Sequence, residues 1–224
     1  VILVTTNEER KGEGTFSVRF KSTLSYAHIA GSLDIMNAEE YAQWRNMAAS
    51  SFSSYDPNNL PFNPENYKNG GTDWIDVLSQ ETFTQDYFLS LFRKVGGTSF
   101  SVTLGYNDTP GVVIESGMRR FTGRVNINSA LTKKLHLNFK LGYTNTHRDR
   151  ATAAITGTST SAAIYLSPLL EPDATWNRYG DQESSGGSAF NSPYIAAKNT
   201  VNESANNYLM ASPTLKYEIN RRMN

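Results

Sequence analysis

The chain has 224 residues, with 21 lysines and arginines against 21 aspartates and glutamates, and this zero balance removes the electrostatic case for nucleic-acid binding. It has no cysteine, which excludes a disulfide framework, a thiolate metal site and a cysteine nucleophile. Only 38% of residues are hydrophobic and no run approaches the roughly 18 apolar residues of a membrane helix, but a transmembrane β-barrel stays admissible because each of its strands is apolar on one side only.

In chain order, Val1-Ile2-Leu3-Val4-Thr5-Thr6 reads as a short strand buried on both faces, closed by a charged turn from Asn7 to Gly14. A different pattern follows. Phe16, Val18, Phe20, Leu24 and Tyr26 share one face, opposite Ser17, Arg19, Lys21, Thr23 and Ser25. Such period-two alternation makes one wall apolar and the other wet. The pattern recurs, blurred, at Tyr87, Leu89 and Leu91, where Phe88 and Phe92 stand on the opposite face. Cleaner copies run through Phe100, Val102, Leu104 and Tyr106, and through Val125 and Ile127. The clearest sets Leu135, Leu137, Phe139, Leu141 and Tyr143 against His136, Asn138, Lys140, Gly142 and Thr144. A last copy spans Leu209 to Ile219, where Pro213 predicts a strand end or a bulge.

The connections alternate between short and long. Val95-Gly96-Gly97-Thr98 and residues 130–134 are tight, 107–119 is intermediate, and 27–83 and 147–206 are long excursions. Short turns on one side and long loops on the other match bacterial outer-membrane barrels. Within the first excursion, Asn37 followed by Glu40 predicts a capped helix over about 38–49. Within the second, a helical turn is expected near Ser161 to Leu166, stopped by Pro168, ahead of a Gly/Ser-rich stretch from Gly180 to Ser188.

Catalytic and metal constellations are sparse. His28, His136 and His147 have no metal-ligand spacing, and no nucleophile elbow or phosphate-binding loop occurs. Glu39-Glu40, Glu171/Asp173 and Asp181/Glu183 could pair as glycosidase carboxylates. The first pair is accounted for by the first turn of a helix, and the others by ordinary polar loops. The sequence therefore predicts no catalytic residue, no cofactor site and no metal site. Tyr26, Tyr106 and Tyr143 each fall near the loop-side end of a strand, the place of an aromatic girdle. Trp176, Tyr179 and Asp181 are candidate substrate contacts, since aromatic faces beside hydrogen-bonding groups suit a sugar. Arg19, Lys21, Arg124, Asn126, Asn138 and Lys140 are candidate residues of a polar lumen, with the apolar rows facing lipid.

Several phrases together resemble SusC/RagA-type TonB-dependent transporters of Bacteroidetes. They are Val1 to Thr6 with its charged turn, Asn37-Ala38-Glu39-Glu40-Tyr41, Thr72-Asp73-Trp74, Ser101 to Tyr106, Gly111-Val112-Val113, and Ser116 to Phe121. They occur in the family's order over most of residues 1–147, and the likeness thins between about 150 and 205. Asn7-Glu8-Glu9-Arg10 departs from the family, being more acidic than its usual turn.

The resemblance implies an antiparallel transmembrane β-barrel of about 22 strands filled by an N-terminal plug, of which this chain is an internal piece of about six strands. Residues 1–6 would be the last plug strand, 7–14 the linker, and 15–224 the first part of the barrel, with short helices in its long extracellular loops. The expected location is the Gram-negative outer membrane. The expected partners of the whole protein are TonB, a SusD-like lipoprotein, outer-membrane lipid, and an oligosaccharide or peptide cargo. A soluble or secreted carbohydrate-binding β-sandwich remains the alternative, though it has no need of such long loops.

Overall fold

The computed structural model describes residues 14, 16–31, 33–51, 62–68, 70–151, 163–173, 175–176 and 190–219. In chain order its elements are β1 (Phe16–Ala27), α1 (Ala38–Ala49), α2 (Trp74–Val77), β2 (Thr82–Val95), β3 (Thr98–Pro110), β4 (Gly117–Ala130) and β5 (Leu135–Asp149). Then come β6 (Thr175–Trp176), β7 (Phe190–Asn191), α3 (Pro193–Asn199) and β8 (Glu203–Tyr217). The long strands form one antiparallel sheet, β1-β2-β3-β4-β5-β8, and β6 and β7 pair separately. Among the described residues no helix is long and apolar enough to cross a membrane. The expected plug strand, residues 1–6, and most of the linker lie outside the described residues.

The two ends of the sheet differ because their turn residues differ. At one end Gly96 and Gly97, both at positive φ (57° and 77°), close β2 onto β3. A two-residue hairpin matched to strand twist needs two such conformations, which glycine adopts without steric cost. Residues 131–134 close β4 onto β5, with the Thr132 hydroxyl accepting from the Leu135 amide at 3.0 Å. At the other end stand the two long excursions.

The helix predicted in the first excursion is α1. The Asn37 side chain accepts from the Glu40 amide at 3.0 Å, and the Glu40 carboxylate accepts from the Asn37 amide at 2.9 Å. Ala38, Ala42 and Asn46, spaced by four, are its buried stripe. Gly71, at φ 137°, admits this packing, because a Cβ there would stand 2.3 Å from the Ala38 Cβ. The second predicted turn is a 3-10 turn at Ala163–Tyr165.

Three expectations need correction. Pro213 neither ends nor bulges its strand: β8 stays in one-to-one register through Pro213 opposite Phe139. The intermediate excursion of 107–119 is only a tip at 111–116, since Asn107 pairs with Arg120, Asp108 with Arg119 and Thr109 with Met118. The second long excursion is likewise shorter, running from Arg150 to Asn202 between β5 and β8. In both cases polar residues that read as loop are the upper ends of strands.

Candidate functional site

Residues paired across an antiparallel ladder point to the same side of the sheet. One row runs Arg19, Ser90, Thr103, Arg124, Gly142, Met210. The next toward the turn end runs Ser17, Phe92, Ser101, Asn126, Lys140, Ser212. Asn138 pairs with Asn128 one row further, and Lys21 lies in the row of Phe88, Gly105, Thr122 and Thr144. The register therefore places Arg19, Lys21, Arg124, Asn126, Asn138 and Lys140 on one face. The Asn126 amide donates to the Ser101 hydroxyl at 3.2 Å, and that of Asn138 to the Asn128 side-chain oxygen. Phe88 and Phe92 interrupt this face on β2, as their sequence positions require.

Charge on this face is one-sided. Its strand positions carry Arg19, Lys21, Lys94, Arg120, Arg124, Lys140, Arg148 and Lys216, against Asp86 alone. Asp86 accepts from the Asn107 amide at 3.3 Å.

The opposite face is an apolar belt. Its rows include Val18, Leu91, Val102, Val125, Leu141 and Ala211, then Phe20, Leu89, Leu104, Gly123, Tyr143 and Leu209. Phe16, Val18, Phe20 and Leu24 are each more than half exposed. Water would strongly disfavour this, at about 25 cal/mol per Å² of apolar surface.

The upper edge of the belt runs diagonally. The ladder sets Tyr143 level with Phe20, and Tyr106 and Phe121 level with Ser22, whereas Tyr26 tops β1. The edge thus climbs six positions, from Phe20 to Tyr26, across the four strand steps between β5 and β1. At about 3.3 Å per residue and about 4.8 Å between strands, a level edge requires a strand tilt of about 45°. Membrane barrels tilt their strands by about 35–45°. On β1 the belt from Phe16 to Tyr26 is about 33 Å long and about 23 Å upright at that tilt, close to the ~25 Å apolar band of such barrels.

Above the belt the same face becomes charged. His147 Nε2 lies 3.0 Å from Asp149 Oδ1 and 3.7 Å from Glu203 Oε2, and Arg119 stands 3.9 Å from Asp149. One ligand atom from each of His147, Asp149 and Glu203 falls within 4.8 Å of the others, so the three could hold a divalent ion. Spacing along the sequence could not reveal this group, because β8 pairing brings Glu203 opposite Asp149 from 54 residues away (203 − 149).

The loop end carries its own core. Trp74, Leu78, Ile114, Ala163, Leu170 and Ala197 form one buried cluster drawn from both long excursions and the β3–β4 tip. Asp73 caps α2, accepting from the Ile75 and Asp76 amides at 2.9 and 3.1 Å. This turns Trp74 inward, where its indole N–H donates to the Ser167 carbonyl at 2.9 Å. Lys198 on α3 meets Glu115 at 2.7 Å, and that carboxylate raises the lysine above its usual pKa. Beside the cluster lies a groove of about 780 Å³ whose walls include Tyr41, Trp44, Tyr67 and Trp74. Two of its carboxylates are engaged, Glu39 by the Gln43 amide and Asp73 by its cap. These groove aromatics were not singled out in the sequence as substrate contacts. Of the residues that were, Trp176 is described only as backbone in β6, and Tyr179 and Asp181 lie outside the described residues.

No protein-family model matches the chain. It is 26% identical over 141 residues to the TonB-dependent receptor SusC of Bacteroides thetaiotaomicron, covering 63% of this chain and 13% of that protein. It is 25% identical over 216 residues to the TonB-dependent receptor P3 of Formosa agariphila, covering 91% of this chain and 19% of the relative. Among solved structures it superposes on the RagAB peptide transporter with a TM-score of 0.70 at 17% identity, covering 94% of this chain and 27% of that one. The chain is a SusC/RagA-type segment. Its sheet corresponds to part of the barrel of this type, and it spans less than a fifth of the length of these curated relatives. A second RagAB structure, in the closed-closed state, superposes with a TM-score of 0.64 over 94% of the chain and 27% of its own length, again at 17% identity.

Proposed function

We propose that this segment is part of the wall of an outer-membrane nutrient importer, with the belt in lipid and the polar face toward the lumen. The observation that carries the reading is the two-faced register, apolar on one side across all six strands and polar on the other, with the belt's edge level at a membrane-barrel tilt. A charge on the lipid side would cost about 2–4 kcal/mol at mid-depth, so lipid fixes which face points outward. In the whole protein a plug would fill the lumen at rest, TonB would drive its release, and a SusD-like lipoprotein would hand over the cargo. Oligosaccharide is the cargo that the family resemblance implies. A peptide cargo is the second reading, favoured by the RagAB neighbour, which is a peptide transporter. The wall needs no bond-making residue for this task.

Circular dichroism of the chain in plain buffer and in detergent micelles tests the membrane reading. Strand signal that develops only with the amphiphile is the expected result. A monodisperse, folded monomer in buffer would sink the reading and favour a sugar-binding β-sandwich.

A further inference from the structure

The polar face is more than wet. Lys216 and His136 face each other at the turn end, Lys140 lies four residues further along β5, and Arg124 stands opposite Gly142. Arg120 and Arg148 continue the series to the loop end. Lys140 and Arg124 are diagonal neighbours, and so are Arg120 and Arg148, at roughly 7–8 Å between backbones. From the level of Lys216 to that of Arg148 is 12 positions (148 − 136 on β5), which is about 40 Å along the strands. The ladder therefore climbs the whole height of the wall.

Three features mark it as a cationic surface rather than a set of internal ion pairs. The strand positions of this face on β3, β4, β5 and β8 carry no carboxylate at all, and Glu218, 3.9 Å from Lys216, lies just beyond β8. Second, a hollow of about 560 Å³ at the turn end has Lys94, His136, Lys140 and Lys216 as its titratable lining, among Asn128 and Asn138. Third, the two residues level with Arg124, Thr103 and Gly142, offer its guanidinium no carboxylate. The chain as a whole is neutral, so this is segregation of charge and not surplus. Cations lining an aqueous passage raise the local concentration of anions and lower their barrier relative to neutral solutes.

We infer that the cargo passing this wall is an acidic oligosaccharide, one bearing carboxylate or sulfate groups, held in transit by the ladder centred on Arg124 and Lys140. The inference rests on the importer reading above and sharpens its substrate class.

The test uses the full-length receptor in intact energised cells, with three labelled probes of matched length: oligogalacturonate, a neutral malto-oligosaccharide, and oligoglutamate. Oligogalacturonate is expected to enter at least about tenfold faster than the neutral sugar, with the preference shrinking as salt screens the wall. The Arg124→Gln, Lys140→Gln double variant should lose most of that preference, its uptake of the acidic sugar falling by a clearly larger factor than its uptake of the neutral one. Arg124→Lys with Lys140→Arg should retain it at equal abundance in the membrane. Equal entry of the acidic and neutral sugars overturns the inference but leaves the importer standing. Equal loss of both sugars in the double variant overturns it too, and points to seating of the plug. Entry of oligoglutamate alone replaces the sugar by an acidic peptide and overturns the assignment. Entry of none of the three overturns the importer reading and the inference together.

Discussion

The strand wall and the loop-end cluster use apolar residues in opposite ways. In the cluster Trp74, Leu78, Ile114 and Leu170 are buried against one another, as in any water-soluble core. In the wall Phe16, Phe20, Leu24, Leu209 and Leu215 remain exposed, and every buried apolar residue among the described ones lies outside the six strands. A protein shaped for water alone would fold the wall's belt against a second layer. The difference shows two solvents acting on one chain: the loops are built for water, and the belt for a medium as apolar as itself.

Substitutions can break this comparison, the most damaging first. Trp74→Ala removes the largest side chain of the cluster and an indole hydrogen bond, at a cost of about 3–5 kcal/mol. The cost should be local: in the full-length protein, amide exchange should quicken in residues 163–173 and 193–199 while the strand amides stay protected. Loss of protection in β3 and β4 as well would mean that the wall depends on the cluster.

Val125→Arg and Asn126→Arg sharpen the comparison from the other side, because the two positions are neighbours on opposite faces. In a bilayer the first should cost about 2–4 kcal/mol and the second only about 0.2–1 kcal/mol, from the like charge of Lys140 opposite it, as read from denaturant unfolding of the full-length barrel in vesicles. Equal costs would remove the distinction between a lipid face and a lumen face.

The smallest effect belongs to the Lys198–Glu115 contact. Because the folded lysine is raised above its usual value, the contact contributes below that usual value and fades as pH climbs through the raised one. Both groups are about half exposed, so the contribution is about 0.2–1 kcal/mol at most. Exchange of the α3 amides should therefore exceed its ordinary base-catalysed rise only in strong alkali, and Lys198→Gln should remove that excess. An excess already present at neutral pH would show that the lysine is not raised.

Much of the wall was legible in the sequence, because period-two alternation survives wherever one face meets an apolar medium. Leu135 to Tyr143 shows it without interruption, and the capping pair Asn37 and Glu40 announced α1 just as plainly. What escaped did so for physical reasons. Asn107, Asp108 and Thr109 read as loop because they extend a strand above the belt, where both faces are polar and hydropathy loses its period. Pro213 read as a break because proline cannot donate to a ladder, whereas here the one-to-one pairing runs through it. α3 is seven residues long and leans on Ser192 and on the loop-end packing, so it carries little periodic signal of its own. The group at His147 is assembled by strand register, which no spacing along one strand encodes.

The loop-end core also has a mechanical consequence. The Thr72 amide donates to the Pro168 carbonyl at 2.8 Å, the Ile114 amide to the Leu78 carbonyl at 3.1 Å, and Ala38 packs on Gly71. These contacts tie the described parts of both excursions to the β3–β4 tip. A load applied at α1 would therefore be shared among these three segments rather than borne by one loop alone.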